Sequence, residues 1–167
     1  TAEASEEEIP EEPAEPRTRT GDVWLLGEHR LMCGDSFLAE DRARALVGQI
    51  ADLILTDPPY AIYGSSTGIG ADIADDEMVR PFFKQLFRAC VATVHEFGHV
   101  YACCDWRSWP AIAESARSAG LSMKNMLVWD KGGGGLGSSY AQCHELVAFL
   151  ARLPPPTAMR STTRRGQ

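Results

Sequence analysis

The apolar residues of this chain alternate between short continuous runs and longer segments with helical spacing. Four short runs predict strands, at residues 51–56, 99–103, 122–129 and 144–151. Helical spacing occurs in the segments before and between these runs, at residues 37–47, 79–90 and 109–118. Strands that alternate with helices are typical of an α/β fold with a parallel sheet. Residues 51–56 are apolar enough to predict a buried strand.

The two ends of the chain lack this pattern. Residues 1–20 are rich in Glu and Pro, which predicts a disordered acidic linker. Residues 21–151 hold all the predicted elements, including a short hairpin at 25–33. Residues 152–167 are rich in Pro and Arg, which predicts an irregular tail. The sequence therefore predicts one folded domain between two irregular segments.

Acidic residues 75–77 precede the second predicted helix, as expected for a helix start. The aromatic residues Phe82, Phe83 and Phe87 fall on one face of this helix. Such a stripe is more typical of core packing than of a base-binding surface, so we expect it in the core. Ser108 and Pro110 mark the start of the third helix, and Gly120 marks its end.

Composition limits the possible functions. A chain of 167 residues has room for one hydrophobic core, and no apolar run reaches the roughly 20 residues of a membrane helix, so no membrane partner is expected. The five cysteines form no Cys-x-x-Cys pair, and adjacent Cys103 and Cys104 would make a strained bridge. We expect reduced, mostly buried thiols in a cytoplasmic protein, and no metal.

The net charge of −7 is concentrated at the N-terminal end. Residues 1–16 hold seven Glu and no Lys or Arg, so the remainder of the chain is neutral overall. Residues 152–167 hold four Arg and no acidic residue. Because phosphate binding depends on local basic surface, the net charge does not exclude a nucleic acid partner.

The strongest functional signal is Asp57-Pro58-Pro59-Tyr60, directly after the predicted strand 51–56. Two prolines end a strand and remove two backbone donors, which leaves backbone acceptors beside a carboxylate and a flat ring. Such a cluster suits a planar ring that carries an amino group. A strand that ends in a Pro-Pro turn with a surface Tyr is the structural alternative.

Chemically, an exocyclic amine of a nucleobase is a poor nucleophile because its lone pair is delocalised into the ring. Two acceptors on its N–H bonds, the Asp57 carboxylate and the Pro58 carbonyl, would favour tetrahedral nitrogen and free the lone pair. Tyr60 would hold the base by stacking, at about 1–3 kcal/mol per base. A base in a duplex must be flipped out to reach such a pocket.

The loop, together with Ile54 and Leu55 before it, resembles the amino-methylating DNA methyltransferases of the Asp-Pro-Pro-Tyr type. Residues 22–35 resemble the hairpin and Gly-Asp turn of one subgroup, and residues 128–146 resemble a later block of it. The similarity covers about residues 21–150. It implies a partial Rossmann-like, S-adenosylmethionine-dependent methyltransferase sheet with flanking helices.

The resemblance also implies a function and partners. Asp57, Pro58, Pro59 and Tyr60 would be the catalytic residues, with direct methyl transfer from S-adenosylmethionine to the amine of a base in double-stranded DNA. Adenine is favoured over cytosine, because the family's cytosine enzymes more often have Ser in place of Asp57. The subgroup is bacterial or phage-encoded, and its Glu/Pro linker often follows a nuclease-like domain, which the full-length protein would then contain.

The donor side is less complete in the sequence. The family holds S-adenosylmethionine with a Phe-x-Gly-x-Gly loop, and no such motif follows Tyr60. We therefore expect the methylase sequence to be cut short near residue 151, and weak or no donor binding by this chain alone. Because Thr1 is not a start Met, we also expect the chain to be a fragment or a processed product. Asp35 and Asp57 are the candidate donor contacts, although Asp35 equally suits a turn after Gly34.

Several alternatives stay open at this point. A catalytically inactive remnant that at most associates with DNA is the second functional hypothesis. His95, Glu96 and His99 match a zinc-protease pattern, but Gly98 interrupts the helix that such a site requires. The glycines at 132, 134 and 137 match a dinucleotide-binding pattern only because they belong to a glycine run. Tyr63 is a secondary base-contact candidate, and residues 144–145 are either structural or close to DNA.

Overall fold

The computed structural model describes residues 15–60, 76–133 and 143–152, and these form six strands and three helices. The strands are β1 (Val23–Leu26), β2 (His29–Met32), β3 (Ala51–Thr56), β4 (Val94–Cys104), β5 (Leu121–Asp130) and β6 (His144–Arg152). The helices are α1 (Ala39–Leu46), α2 (Asp76–Thr93) and α3 (Trp109–Ala119). All seven strands and helices predicted from apolar spacing are present, and so is the predicted hairpin, which is β1–β2.

Four strands form one sheet in the order β3-β4-β6-β5, apart from the β1–β2 hairpin. Strands β3 and β4 are parallel, whereas β6 is antiparallel to both β4 and β5. The expectation of a parallel sheet is therefore wrong for β6. Its direction follows from the connection at residues 131–143, because a parallel connection requires a longer crossover, usually through a helix.

Helices α2 and α3 cover one face of the sheet and form the core with it. On this face of β4, Val100, Ala102 and Cys104 are fully buried. Phe83 and Phe87 of α2 pack against them, which confirms that the aromatic stripe belongs to the core. Phe82 lies at the margin of this core and meets Phe37 edge-on at 5.3 Å between ring centroids.

The opposite face of the sheet is only partly covered within the described residues. Tyr101 of β4 and Phe149 of β6 stack there with ring centroids 4.9 Å apart. Leu53 and Leu55 of β3 are 52% and 70% exposed, so the prediction of a buried strand is wrong. In the described sheet β3 is an edge strand, and only its helix-facing side, with Ile54, reaches the core.

Gly98 permits close packing of β4 against β3. A Cβ atom at this position would lie 2.6 Å from Val94 Cγ2 and 2.9 Å from the carbonyl oxygen of Asp52. The neighbouring Phe97 has a positive φ of 71°, and the β3–β4 register shifts between Ala51 and Leu53. Glycine here lets the irregular start of β4 approach β3, after which the register is regular as far as Thr56.

Gly120 ends α3 in the left-handed conformation, with φ of 94°, as predicted. None of the helices in the described part of the chain is long and apolar enough to span a membrane.

Candidate active site at one edge of the sheet

The strand directions bring four chain segments to one edge of the sheet. Because β3 and β4 are parallel, their carboxyl ends lie together, and these are followed by residues 57–60 and 105–107. Because β6 runs in the opposite direction, its first residues, 144–145, lie at the same edge. The end of β5, with residues 129–131, joins them through its antiparallel pairing with β6. Loops at such an edge are where α/β sheets bind ligands.

The Asp57–Tyr60 loop directly follows β3. Asp57 is exposed, Pro58 is buried, and Pro59 and Tyr60 are half-buried. The two prolines stop the strand, since neither can donate to a sheet hydrogen bond. This arrangement anchors the loop through Pro58, while Asp57 and part of Tyr60 remain exposed.

The Tyr60 hydroxyl is held between two carboxylates. It lies 3.0 Å from Asp57 Oδ1 and 3.1 Å from Glu145 Oε2. Burial raises the pKa of Tyr60 above its usual range, and hydrogen bonding to Asp57 and the charges of Asp57 and Glu145 raise it further. The hydroxyl therefore keeps its proton at neutral pH and acts as a donor to these carboxylates.

Glu145 connects this loop to the end of β5. Its Oε1 forms an ion pair with Lys131 Nζ, which lies 5.9 Å from the centre of the Trp129 ring. The hypothesis that residues 144–145 are either structural or close to DNA did not place Glu145 beside Tyr60. One sequence signal could have indicated this position. Residues 144–145 start a strand after a short glycine-rich connection, and such a strand returns to the edge where the preceding strand ended.

Cys103 is a second residue near this site that the sequence did not indicate. It is half-buried on β4, close enough to the Asp57–Tyr60 loop to be affected by the charge of Asp57. Burial raises the pKa of its thiol, and the negative charges of Asp57 and Glu145 raise it further. The thiol is therefore neutral at physiological pH, and its pKa responds to the two carboxylates that hold Tyr60.

Asp105 closes the end of β4 through a buried network. Its Oδ1 accepts hydrogen bonds from the backbone N–H of Ser108 at 2.8 Å and from the Ser108 hydroxyl at 2.6 Å. Arg107 forms an ion pair with Oδ2 and lies 5.9 Å from the centre of the exposed Trp106 ring. Asp105 fixes the start of α3, and the Trp106–Arg107 pair remains available at the surface beside the loop.

Asp35 occupies a turn between the hairpin and α1. Its Oδ1 accepts the backbone N–H of Phe37 at 2.8 Å, and its own N–H donates to Asp41 Oδ2 at 2.9 Å. These contacts favour the turn interpretation. Asp35 also lines a cavity of about 160 Å³ whose other described lining residues lie within 32–45, so none of these comes from the Asp57–Tyr60 loop.

The structure excludes the helix of the zinc pattern and describes only part of the dinucleotide pattern. His95, Glu96 and His99 lie on β4, so the helix that a zinc protease needs is not formed. No group of three potential metal ligands lies close together in residues 15–60, 76–133 and 143–152. Gly132 follows β5 with φ of 70°, and its N–H donates to Asp130 Oδ1 at 2.9 Å. Gly134, Gly137 and the candidate Tyr63 lie outside the described residues.

All five cysteines are free thiols. Cys90 and Cys104 are buried, Cys103 is half-buried, and Cys33 and Cys143 are exposed. Burial raises the pKa of Cys90 to about 11 and that of Cys104 to about 12.

Solved structures with a similar fold include M1.HpyAVI and a DNA modification methylase of Thermus thermophilus. M1.HpyAVI superposes with a TM-score of 0.51 and 17% identity, over 71% of this chain and 54% of that one. TTHA0409 of Thermus thermophilus, assigned as a DNA modification methylase, gives a TM-score of 0.49 and 17% identity, over 74% and 55%. The complex of M1.HpyAVI with S-adenosylmethionine gives 0.44 and 18%, over 62% and 44%.

No protein-family profile matches the chain. No curated protein sequence matches it either. The superposition on M1.HpyAVI shows that the chain shares the α/β fold of part of that structure, which confirms the predicted fold class. The chain spans about half the length of the solved structures that it matches.

Proposed function

We propose that this chain carries the catalytic loop of an S-adenosylmethionine-dependent DNA methyltransferase that modifies the exocyclic amine of a flipped-out base. The observation that carries the proposal is the Asp57–Tyr60 loop at the carboxyl end of β3, with the Asp57 carboxylate exposed and the Tyr60 hydroxyl held beside it. The similarity of the fold to M1.HpyAVI supports the same assignment.

In this proposal the loop acts on the amine through hydrogen-bond acceptors. Asp57 and the carbonyl of Pro58 each accept one N–H of the amine, so that the nitrogen lone pair becomes available. Tyr60 stacks on the base and positions the amine between the two acceptors. The catalytic contribution comes from placing acceptors where positive charge develops on the nitrogen.

Double-stranded DNA is the proposed substrate, and the edge around the loop has suitable groups to contact it. Trp106 and Trp129 are 64% and 55% exposed, and each has a cation, Arg107 or Lys131, near its ring. Exposed aromatic rings beside cations are what proteins use to hold nucleotides away from a stack. Adenine is the favoured base, because the first residue of the loop is Asp57 and the family's cytosine enzymes more often have Ser there.

The donor would supply the methyl group as a sulfonium, and Asp35 and Asp57 are the candidate residues to contact it. The cavity beside Asp35, at about 160 Å³, is below the roughly 300 Å³ of small ligand sites. We therefore expect this chain alone to bind S-adenosylmethionine weakly or not at all, and calorimetry that gave micromolar affinity would contradict this.

The small cavity also favours a second candidate function, a remnant that associates with DNA without transferring methyl groups. Incubation of the purified chain with methyl-labelled S-adenosylmethionine and DNA of mixed sequence separates the two. Labelled DNA supports the methyltransferase, and digestion to nucleosides identifies the modified base. If no DNA sequence acquires label and the chain still binds DNA, the remnant is favoured.

Substitution of Asp57 tests the assignment of the loop. The Asp57→Ala variant should lose transfer completely, because the amine loses its charged acceptor. The Asp52→Ala variant is the matched control, since Asp52 is an exposed acidic residue on the same strand, away from its carboxyl end. Full activity in Asp57→Ala would remove the mechanistic assignment.

A further inference from the structure

Glu145 has no role in the chemistry described so far, although it contacts the catalytic loop. It is separated from Tyr60 by 85 positions in the sequence, and the two meet because β6 begins at the edge where β3 ends. One of its oxygens pairs with Lys131 Nζ, and the other lies 3.1 Å from the Tyr60 hydroxyl. A half-buried carboxylate with both oxygens engaged has a fixed orientation.

The Tyr60 hydroxyl has one hydrogen and two carboxylate neighbours. A tyrosine hydroxyl donates a single hydrogen bond, so it serves either Asp57 or Glu145 at a given moment. The two O–O distances, 3.0 Å and 3.1 Å, are nearly equal, so a small rotation of the O–H bond exchanges one acceptor for the other. This exchange requires no movement of the ring.

The choice of acceptor matters to the proposed reaction. When Tyr60 donates to Asp57, its hydrogen bond occupies Oδ1 and withdraws charge from the carboxylate that must hold the substrate amine. When it donates to Glu145 instead, Oδ1 is open to an N–H of the base. The ring of Tyr60 stays anchored in both cases, since one carboxylate always accepts its hydroxyl.

We propose that Glu145 is a positioning residue, which accepts the Tyr60 hydrogen bond while the amino group of the target base occupies Asp57. This inference rests on the proposed function and adds a residue to its site. Lys131 completes the arrangement, because its charge offsets that of Glu145 and limits repulsion between Glu145 and Asp57. The Glu145–Lys131 pair thus supplies an acceptor for the Tyr60 hydroxyl without adding a second uncompensated negative charge beside Asp57.

A structural role is the competing explanation, in which Glu145 only ties the end of β5 to the start of β6. The two explanations differ in what they predict for the reaction. A tie between strands would affect stability and leave the kinetic effect independent of Tyr60. If Glu145 is a positioning residue, its removal should lower the rate of transfer through an effect on the Tyr60 hydroxyl, and the stacking of the base should stay intact.

The experiment is a double-mutant cycle on the full chain, with labelled S-adenosylmethionine and mixed-sequence DNA as the probes. Glu145→Ala should lower kcat about tenfold, the effect of one hydrogen bond, while KM for DNA changes little. Glu145→Gln keeps an acceptor for the hydroxyl and should restore most of kcat. In a Tyr60→Phe background, Glu145→Ala should have no further effect, because the hydroxyl is already absent.

Glu114→Ala is the matched control, because Glu114 is also ion-paired, with Arg80, but lies on α3. It should leave kcat unchanged. The inference is overturned if Glu145→Ala keeps the wild-type kcat, or if its effect multiplies with that of Tyr60→Phe. Because this chain alone is expected to bind S-adenosylmethionine weakly, the donor is supplied in large excess. A wild-type chain that is inactive even then would remove the proposed function, and the inference with it. Urea unfolding of the wild type, Glu145→Ala, Tyr60→Phe and the double variant would still report whether the Tyr60–Glu145 contact exists.

Discussion

The Tyr60 hydroxyl lies 3.0 Å from Asp57 Oδ1, so the ring that would stack on the base is tied to the carboxylate that would accept its amine. Tyr60→Ala removes the ring and should weaken binding of adenine-containing single-stranded oligonucleotides about 5- to 150-fold, the equivalent of 1–3 kcal/mol. Tyr60→Phe keeps the stacking surface and should bind within about twofold of the wild type. Fluorescence anisotropy measures both affinities.

Trp24→Ala provides the control for this experiment. Trp24 is exposed on β1, in the separate hairpin, so its loss removes an aromatic side chain without touching the loop. Equal weakening by Trp24→Ala and Tyr60→Ala would show that the oligonucleotide binds exposed aromatic residues in general, against the stacking role of Tyr60.

The Cys103 thiol reports on the charges at the site without any catalytic assay. Because the negative charges of Asp57 and Glu145 help to raise its pKa, removal of either charge should lower that pKa and increase the thiolate fraction. The thiolate is the reactive form, so Asp57→Asn should speed alkylation of Cys103 by iodoacetamide near pH 8, by up to about tenfold. Peptide mass spectrometry measures the rate at each cysteine separately.

Glu145→Gln should change the Cys103 rate in the same direction. Alkylation of the exposed Cys33, which follows the β1–β2 hairpin, serves as the internal control and should keep its rate in both variants. A Cys103 rate that is the same in wild type, Asp57→Asn and Glu145→Gln would mean that the thiol does not sense these carboxylates, against the placement of Cys103 beside the loop.

The sequence predicted the type of every strand and helix in the described part of the chain, because each depends on the local spacing of apolar residues. It did not predict the direction of β6 or the exposure of Leu55, since both depend on which strands become neighbours. The loop at Asp57 was recognisable because its unusual residues are adjacent in the sequence. Glu145 was not, because its contact with Tyr60 arises only from the antiparallel return of β6 to the same edge.

The buried thiol of Cys104 should make the stability of the domain decrease in alkaline solution. Its pKa is about 12 in the folded protein and about 8.5 in the unfolded chain. The contribution is fully present below pH 8.5 and is lost as pH rises toward 12, because only the unfolded chain then releases the proton. The free energy of unfolding should fall by up to about 1.4 kcal/mol per pH unit through this group.

Urea unfolding at several pH values between 7 and 10 checks this expectation. Cys104→Ala should reduce the slope of the unfolding free energy against pH. Val100→Ala is the matched control, because Val100 is equally buried on β4 but has no ionisable group, so it should lower stability by the same amount at every pH. An unchanged slope in Cys104→Ala would contradict a neutral buried thiol.

Gly98 determines how closely β4 approaches β3, and therefore how Asp57 is placed relative to the end of β4. In Gly98→Ala the new methyl group would lie 2.6 Å from Val94 Cγ2 and 2.9 Å from the carbonyl oxygens of Asp52 and His95. Two of these neighbours are backbone atoms in paired strands, which cannot move without disturbing the ladder. We expect a loss of about 1–3 kcal/mol in the free energy of unfolding, as for other overpacked sites.

Gly133→Ala is the matched control for this substitution. A Cβ at Gly133 would meet nothing within 4 Å, so the same change in composition should alter stability by less than about 0.5 kcal/mol. Urea unfolding of both variants gives the comparison. If Gly98→Ala proved as stable as Gly133→Ala, the start of β4 could move away from β3 at no cost, and the register that holds the Asp57–Tyr60 loop beside β4 would not depend on a glycine at this position.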